Sequence, residues 1–116
     1  MDGSERLLVA GLDDWSHAAD IGWLLHLPDD RMDAACQVEA VILDLVDRGW
    51  VVVGDVTDAG FAAWPGSAAN VSGRVRLAWS ELDHDPAPGD VCWLANTPSG
   101  DARARELLAG VAWPST

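Results

Sequence analysis

The sequence predicts an α+β domain of about four helices with a small antiparallel sheet and a helical insertion between two paired strands. Three observations lead there. Apolar residues recur at three- and four-residue spacing in several segments. The run "WVVVGDV", Trp50–Val56, is β-branched and too short for a helix. A second apolar run, Val91–Leu94, leads directly into "NTPSGD", which carries the chemistry of a turn and a helix start. A chain of 116 residues accommodates one such domain, spanning its whole length.

Each element follows from local residues. Asp13 and Asp14 stand as caps before a helix over Asp14–Leu27, where Trp15, Ala18, Gly22 and Leu25 share a face, and Pro28 stops it. The next helix is capped by Asp30, with Asp33 three residues on. It carries Ala35, Val38, Val41, Ile42, Leu45 and Val46 along one side and closes at "DRG", Asp47–Gly49. Trp50–Val56 is a strand, and Phe61–Ala63 a further short one after the breaker Gly60. Ser67–Leu82 fits a helix through Val71, Val75, Ala78, Trp79 and Leu82, weakened by Gly73. Asp83–Asp90 is a proline-containing loop. After the extended Val91–Leu94, Thr97 is the cap and Pro98 the first position of a last helix to about Ala109, with 114–116 as a frayed tail.

Charge is the most unusual property. The 19 acids face 7 basic residues, all arginine, for a net of −12. Residues 1–58 hold 13 acids and 3 arginines, and residues 59–116 hold 6 acids and 4 arginines. The N-terminal half therefore sets the field, which repels phosphate backbones and attracts cationic partners; a solubilising coat is the plainer explanation of the same acidity. The absence of lysine and tyrosine removes Schiff-base chemistry, a phosphate-loop lysine and tyrosine acids. An arginine-only, alanine-rich composition is a mark of GC-rich coding. Cys36 and Cys92 form no CxxC pair, and no leader-like or bilayer-length apolar run is present, so a reduced cytoplasm is the expected location. Both cysteines are expected to be buried, Cys36 on the inner side of its helix and Cys92 in the last strand.

Catalytic chemistry finds no constellation here, and neither cysteine has a basic neighbour to activate it. Asp13, His17 and Asp20, four and three residues apart, share a helical face on which a divalent ion has three candidate ligands; a solvated polar face is the simpler reading. In "DHD", Asp83–Asp85, the flanking acids mark His84 as an exposed loop histidine with a raised pKa. No metal, cofactor or enzyme activity is expected. Of the seven tryptophans, Trp15, Trp50, Trp79 and Trp93 read as core, whereas Trp23, Trp64 and Trp113 have no obvious inward position and suit an interface.

The segments "LVDRGWVVVGDV" and "WLANTPSGDARARELL" together resemble the core of winged-helix domains of bacterial transcription regulators. In those domains a helix ending in Leu-x-x-x-Gly runs into a wing strand, and the returning strand ends in a Leu-Thr-x-x-Gly turn before a helix, of which "NTPSG" resembles a variant. The resemblance covers about a third of the chain and implies the fold more than the function. It also implies that the helix over Asp30–Arg48 occupies the place of a groove-reading helix. That helix carries five acids (Asp30, Asp33, Glu39, Asp44, Asp47) against Arg31 and Arg48. A site neutralising roughly 6–10 phosphates needs that many donors on one face, and the whole chain has seven.

Two functions lead at this stage, ahead of an enzyme that would depend on a metal held by Asp13, His17 and Asp20. One is an acidic, non-enzymatic interaction module that meets a basic protein, or a second copy of itself, through those five acids with Trp23 and Trp64. Neutralising a cationic nuclease and acting as a decoy for DNA-binding surfaces are both of this type. The other is a winged-helix regulator that binds DNA through Arg74, Arg76, Arg103 and Arg105.

Overall fold

The computed structural model describes residues 2–12 and 14–110. Along them run α1 (Gly3–Ala10), β1 (Ser16–His17), α2 (Ala18–Leu25), α3 (Arg31–Asp47), β2 (Val51–Thr57), β3 (Gly60–Ala63), α4 (Ala68–Ser80), β4 (Trp93–Asn96) and α5 (Pro98–Gly110). The α+β class stands, with one helix more than the apolar spacing predicts. That helix, α1, starts at a capping box: Asp2 accepts from the backbone N–H of Glu5 (2.8 Å), and Glu5 accepts from that of Asp2 (3.0 Å). Leu7 and Leu8 bury its inner face.

The helix expected from Asp14 begins four residues later. Ser16 and His17 pair with Leu94 and Trp93 as β1, and the Asp20 carboxylate accepts from the His17 N–H (3.2 Å), so the first turn forms at Ala18. Asp14 instead accepts from the N–H of Trp15 (2.7 Å), while Asp13 lies outside the described residues. Trp15, expected in the core, is 39% exposed and packs its ring 5.8 Å from Phe61. It precedes a strand and does not open a helix, which removes it from the inward face.

The helix α3 follows its signals closely. Asp30 accepts from the N–H of Asp33 (3.0 Å), and the far end closes with Gly49 at φ 75°, Gly49 N–H to Val46 and Trp50 N–H to Leu45. Cys36, expected inside, is exposed. At 100° per residue Ala35, Val38, Ile42 and Leu45 share the buried arc, and Cys36 falls on the opposite side.

The sheet is antiparallel in the order β1-β4-β2-β3. Thus α3 runs into β2, β4 returns beside it with Val53 opposite Leu94, and α5 follows. Thr97 fastens this junction. Its hydroxyl donates to the Gly49 carbonyl (2.6 Å) and accepts from the Gly100 N–H (3.0 Å), and its own N–H donates to Trp50 (3.0 Å). Between β2 and β4, the inserted segment packs on the domain. Capped by Ser67, α4 lies along α3, and its Val71, Val75 and Trp79 join Ala34, Val38, Ile42 and Leu45 in one core. Each fully buried side chain of this kind contributes about 1.5–3 kcal/mol. Trp79 is 1% exposed, as expected, whereas Trp50 and Trp93 are half-buried. Trp113 and the tail at 114–116 lie outside the described residues.

Candidate partner-binding surface

Opposite its buried arc, α3 presents Asp33, Asp44 and Asp47 to solvent on one side of the helix, beside Gln37 and Ala40. Asp30 is exposed at its N-terminus. Glu39 stands apart from these. It is half-buried on the flank nearest α4, where Arg76 donates to it at 3.1 Å. Asp44 receives Arg48 from the next turn at 2.9 Å. Among the described residues, Asp30, Asp33 and Asp47 have no ion-pair partner.

Among the described residues, every arginine but Arg105 has a partner within the molecule. Arg74 lies 3.7 Å over the ring of Trp64, Arg76 is on Glu39, and Arg103 reaches Glu106 (3.2 Å) and Glu5 (3.6 Å). Arg6 donates to the carbonyl of Leu24 and Arg31 to that of His84. Of the four arginines expected to serve DNA, Arg105 is the one without an intramolecular partner among the described residues.

The two tryptophans of the expected interface differ in kind. Trp64 is held on both sides, by Arg74 over its ring and by its indole N–H donating to Asp55 (2.9 Å). Trp23 is 76% exposed on α2. It forms one wall of a cleft of about 420 Å³, where Trp79 and Ala34 supply apolar lining and Pro28 and Pro86 stand with Asp29 and Asp85. The indole N–H of Trp79 is buried without a hydrogen-bond partner. Sequence reasoning names Trp23 as an interface residue but not Asp29, Arg31, Asp85 and Pro86 as its neighbours, which come from two other segments, 29–31 and 85–86. The available signal is "DHDPAPGD", which reads in sequence as a proline-containing loop presenting His84.

His84 is exposed, as expected. Its Nδ1 is 2.6 Å from Asp83 and its Nε2 2.9 Å from Asp90. The hydrogen bond to Asp83, then that to Asp90, raises its pKa, and both carboxyls are lowered in turn. Asp90 also accepts from the Ala87 N–H (3.0 Å), so the imidazole clips the loop shut upon itself. His17 is half-buried and meets Trp93 edge-on at 5.2 Å. Among the described residues, no group of three or more His, Cys, Asp or Glu is arranged to hold a metal ion. Cys92 is buried just before β4, and desolvation pushes its thiol up to about 12.

No helix among the described residues is long and apolar enough to cross a membrane. Set against known proteins, the chain matches no family model, no curated protein and no solved structure.

Proposed function

We propose that this protein is a non-enzymatic interaction module that uses a winged-helix-like scaffold to present an acidic helix to a basic partner protein. The observation that carries the reading is the outward side of α3. Asp33, Asp44 and Asp47 stand there, on the helix that the winged-helix resemblance would assign to groove reading, with Arg48 beside them already paired to Asp44. A net charge of −12 steers cationic surfaces toward this side and raises the rate of encounter. Neutralisation of a cationic nuclease, or occupation of another protein's DNA-binding surface, is the corresponding biological role. The regulator reading draws less support, because Arg74, Arg76 and Arg103 are engaged within the molecule.

Affinity isolation from the native lysate at low salt, with the wild type beside Asp33→Asn/Asp44→Asn/Asp47→Asn, tests this. The expected result is a basic protein retained by the wild type, released by salt and absent from the variant. Finding no stable protein partner at low salt, or a salt-dependent gel shift with duplex DNA at modest salt, overturns it.

A further inference from the structure

We infer that the cleft between α2, the start of α3 and the 83–90 loop is a receptor for an arginine or lysine side chain carried on an apolar segment of the basic partner. This inference rests on the reading of a basic partner given above and adds a second point of contact, on a different face from the acids of α3.

Four features of the cleft select that chemistry. Its volume of about 420 Å³ is that of a pocket for a few residues or a small ligand, not a shallow dimple. Trp23 stands 76% exposed at its edge, and a tryptophan face is the best aromatic acceptor for an ammonium or guanidinium group. Asp29 and Asp85 line it and, among the described residues, have no ion-pair partner, whereas Arg31, the cation of the cleft, is engaged with the carbonyl of His84 at 3.1 Å. The apolar lining, Leu27, Pro28, Trp79 and Pro86, suits the aliphatic stem of a long cationic side chain and its apolar neighbours.

The test uses three capped tetrapeptides, acetyl-Pro-Leu-Arg-Leu-amide and its lysine and glutamine counterparts, titrated into the full chain at low salt. The indole N–H resonances of the tryptophans are followed by two-dimensional NMR. Saturable shifts of Trp23 and Trp79 with the arginine or lysine peptide, and binding of the glutamine peptide at least about ten-fold weaker, are expected. Trp23→Ala, at an exposed position, should weaken the cationic peptide about ten-fold while the other indole resonances keep their positions. Asp29→Asn/Asp85→Asn should weaken it and flatten its salt dependence. Absence of shifts at Trp23 and Trp79, equal binding of the glutamine peptide, or full binding by Trp23→Ala overturns the assignment.

The acid-neutralised α3 variant separates the two readings. If it still binds the cationic peptide but no longer captures the protein partner, both stand. If it captures nothing less than the wild type does while Trp23→Ala loses the peptide, the cleft stands without the α3 face. A partner bound through α3 with no change at Trp23 removes the cleft alone.

Discussion

The hydroxyl of Thr97 donates to the carbonyl of Gly49 across 2.6 Å, joining residues 48 positions apart. One side chain thereby closes the end of α3 and, through the Gly100 N–H, starts α5. Thr97→Ala should cost about 1–2 kcal/mol, the range for losing a helix cap together with a hydrogen bond. Thr97→Ser should recover most of it. Urea unfolding midpoints compare the three proteins.

The His84 clip gives a pH dependence with two limbs. The imidazole pKa is raised above its ordinary 6.5, so the stability it contributes is fully present below 6.5 and is lost as pH rises through the raised value. Asp83 and Asp90 are lowered below 3.8, so their contribution is present above 3.8 and is lost as pH falls through the lowered values. The clip is therefore strongest from about pH 4 to 6.5. Subtracting the stability profile of His84→Gln from that of the wild type should leave an excess that is greatest in that window and fades as pH rises through the raised histidine value or falls through the lowered carboxyl values, and the His84 ring protons should titrate above an ordinary histidine.

Helix α4 and helix α3 share a core that tolerates little loss of volume. Ile42 is fully buried, and Ile42→Ala should destabilise by about 2–5 kcal/mol. Leu43→Ala, one residue further round and 39% exposed, should cost well under half as much. Thermal unfolding followed by circular dichroism resolves such a difference.

Close backbone approach makes Gly54 irreplaceable. A Cβ there would run into the carbonyl oxygen of Ala62 on the neighbouring strand, and that oxygen belongs to the backbone and cannot turn aside. Gly54→Ala should cost about 1–3 kcal/mol as β2 and β3 are pushed apart. Amide exchange should rise in β3 more than in β4, which is the sign that the hairpin and not the whole sheet has loosened.

The two thiols should separate cleanly under alkylation. Cys36 is exposed on α3, while Cys92 is buried with its thiol pushed up to about 12. Iodoacetamide at pH 8 should label Cys36 in the folded protein and reach Cys92 only in denaturant, as read by peptide mass spectrometry.

Much of this architecture is legible locally. Asp30, Gly49, Ser67 and Thr97 mark helix ends because caps act through neighbours three residues away, and each does so in the structure. What escapes is what distant segments make. Ser16–His17 is a strand only because Leu94 and Trp93 lie beside it, and the capping pair Asp2 and Glu5 is visible in hindsight but introduces too short a run to show a period. Cys36 shows how a one-residue error in helical phase moves a side chain from core to solvent. The acids of α3 were legible because they share an element with its apolar stripe. The Trp23 cleft was not, since Trp23, Asp29 and Asp85 meet only after folding.

The 83–90 loop supplies Asp85 and Pro86 to the cleft yet gives no side chain to the hydrophobic core, which is flanked there by Leu82 and Val91. The loop is tied to the body by polar contacts instead, the Arg31 hydrogen bond to the His84 carbonyl among them. Exchanges at Asp85 and Pro86 that leave Asp83, His84 and Asp90 in place therefore alter the edge of the cleft without disturbing the packed interior.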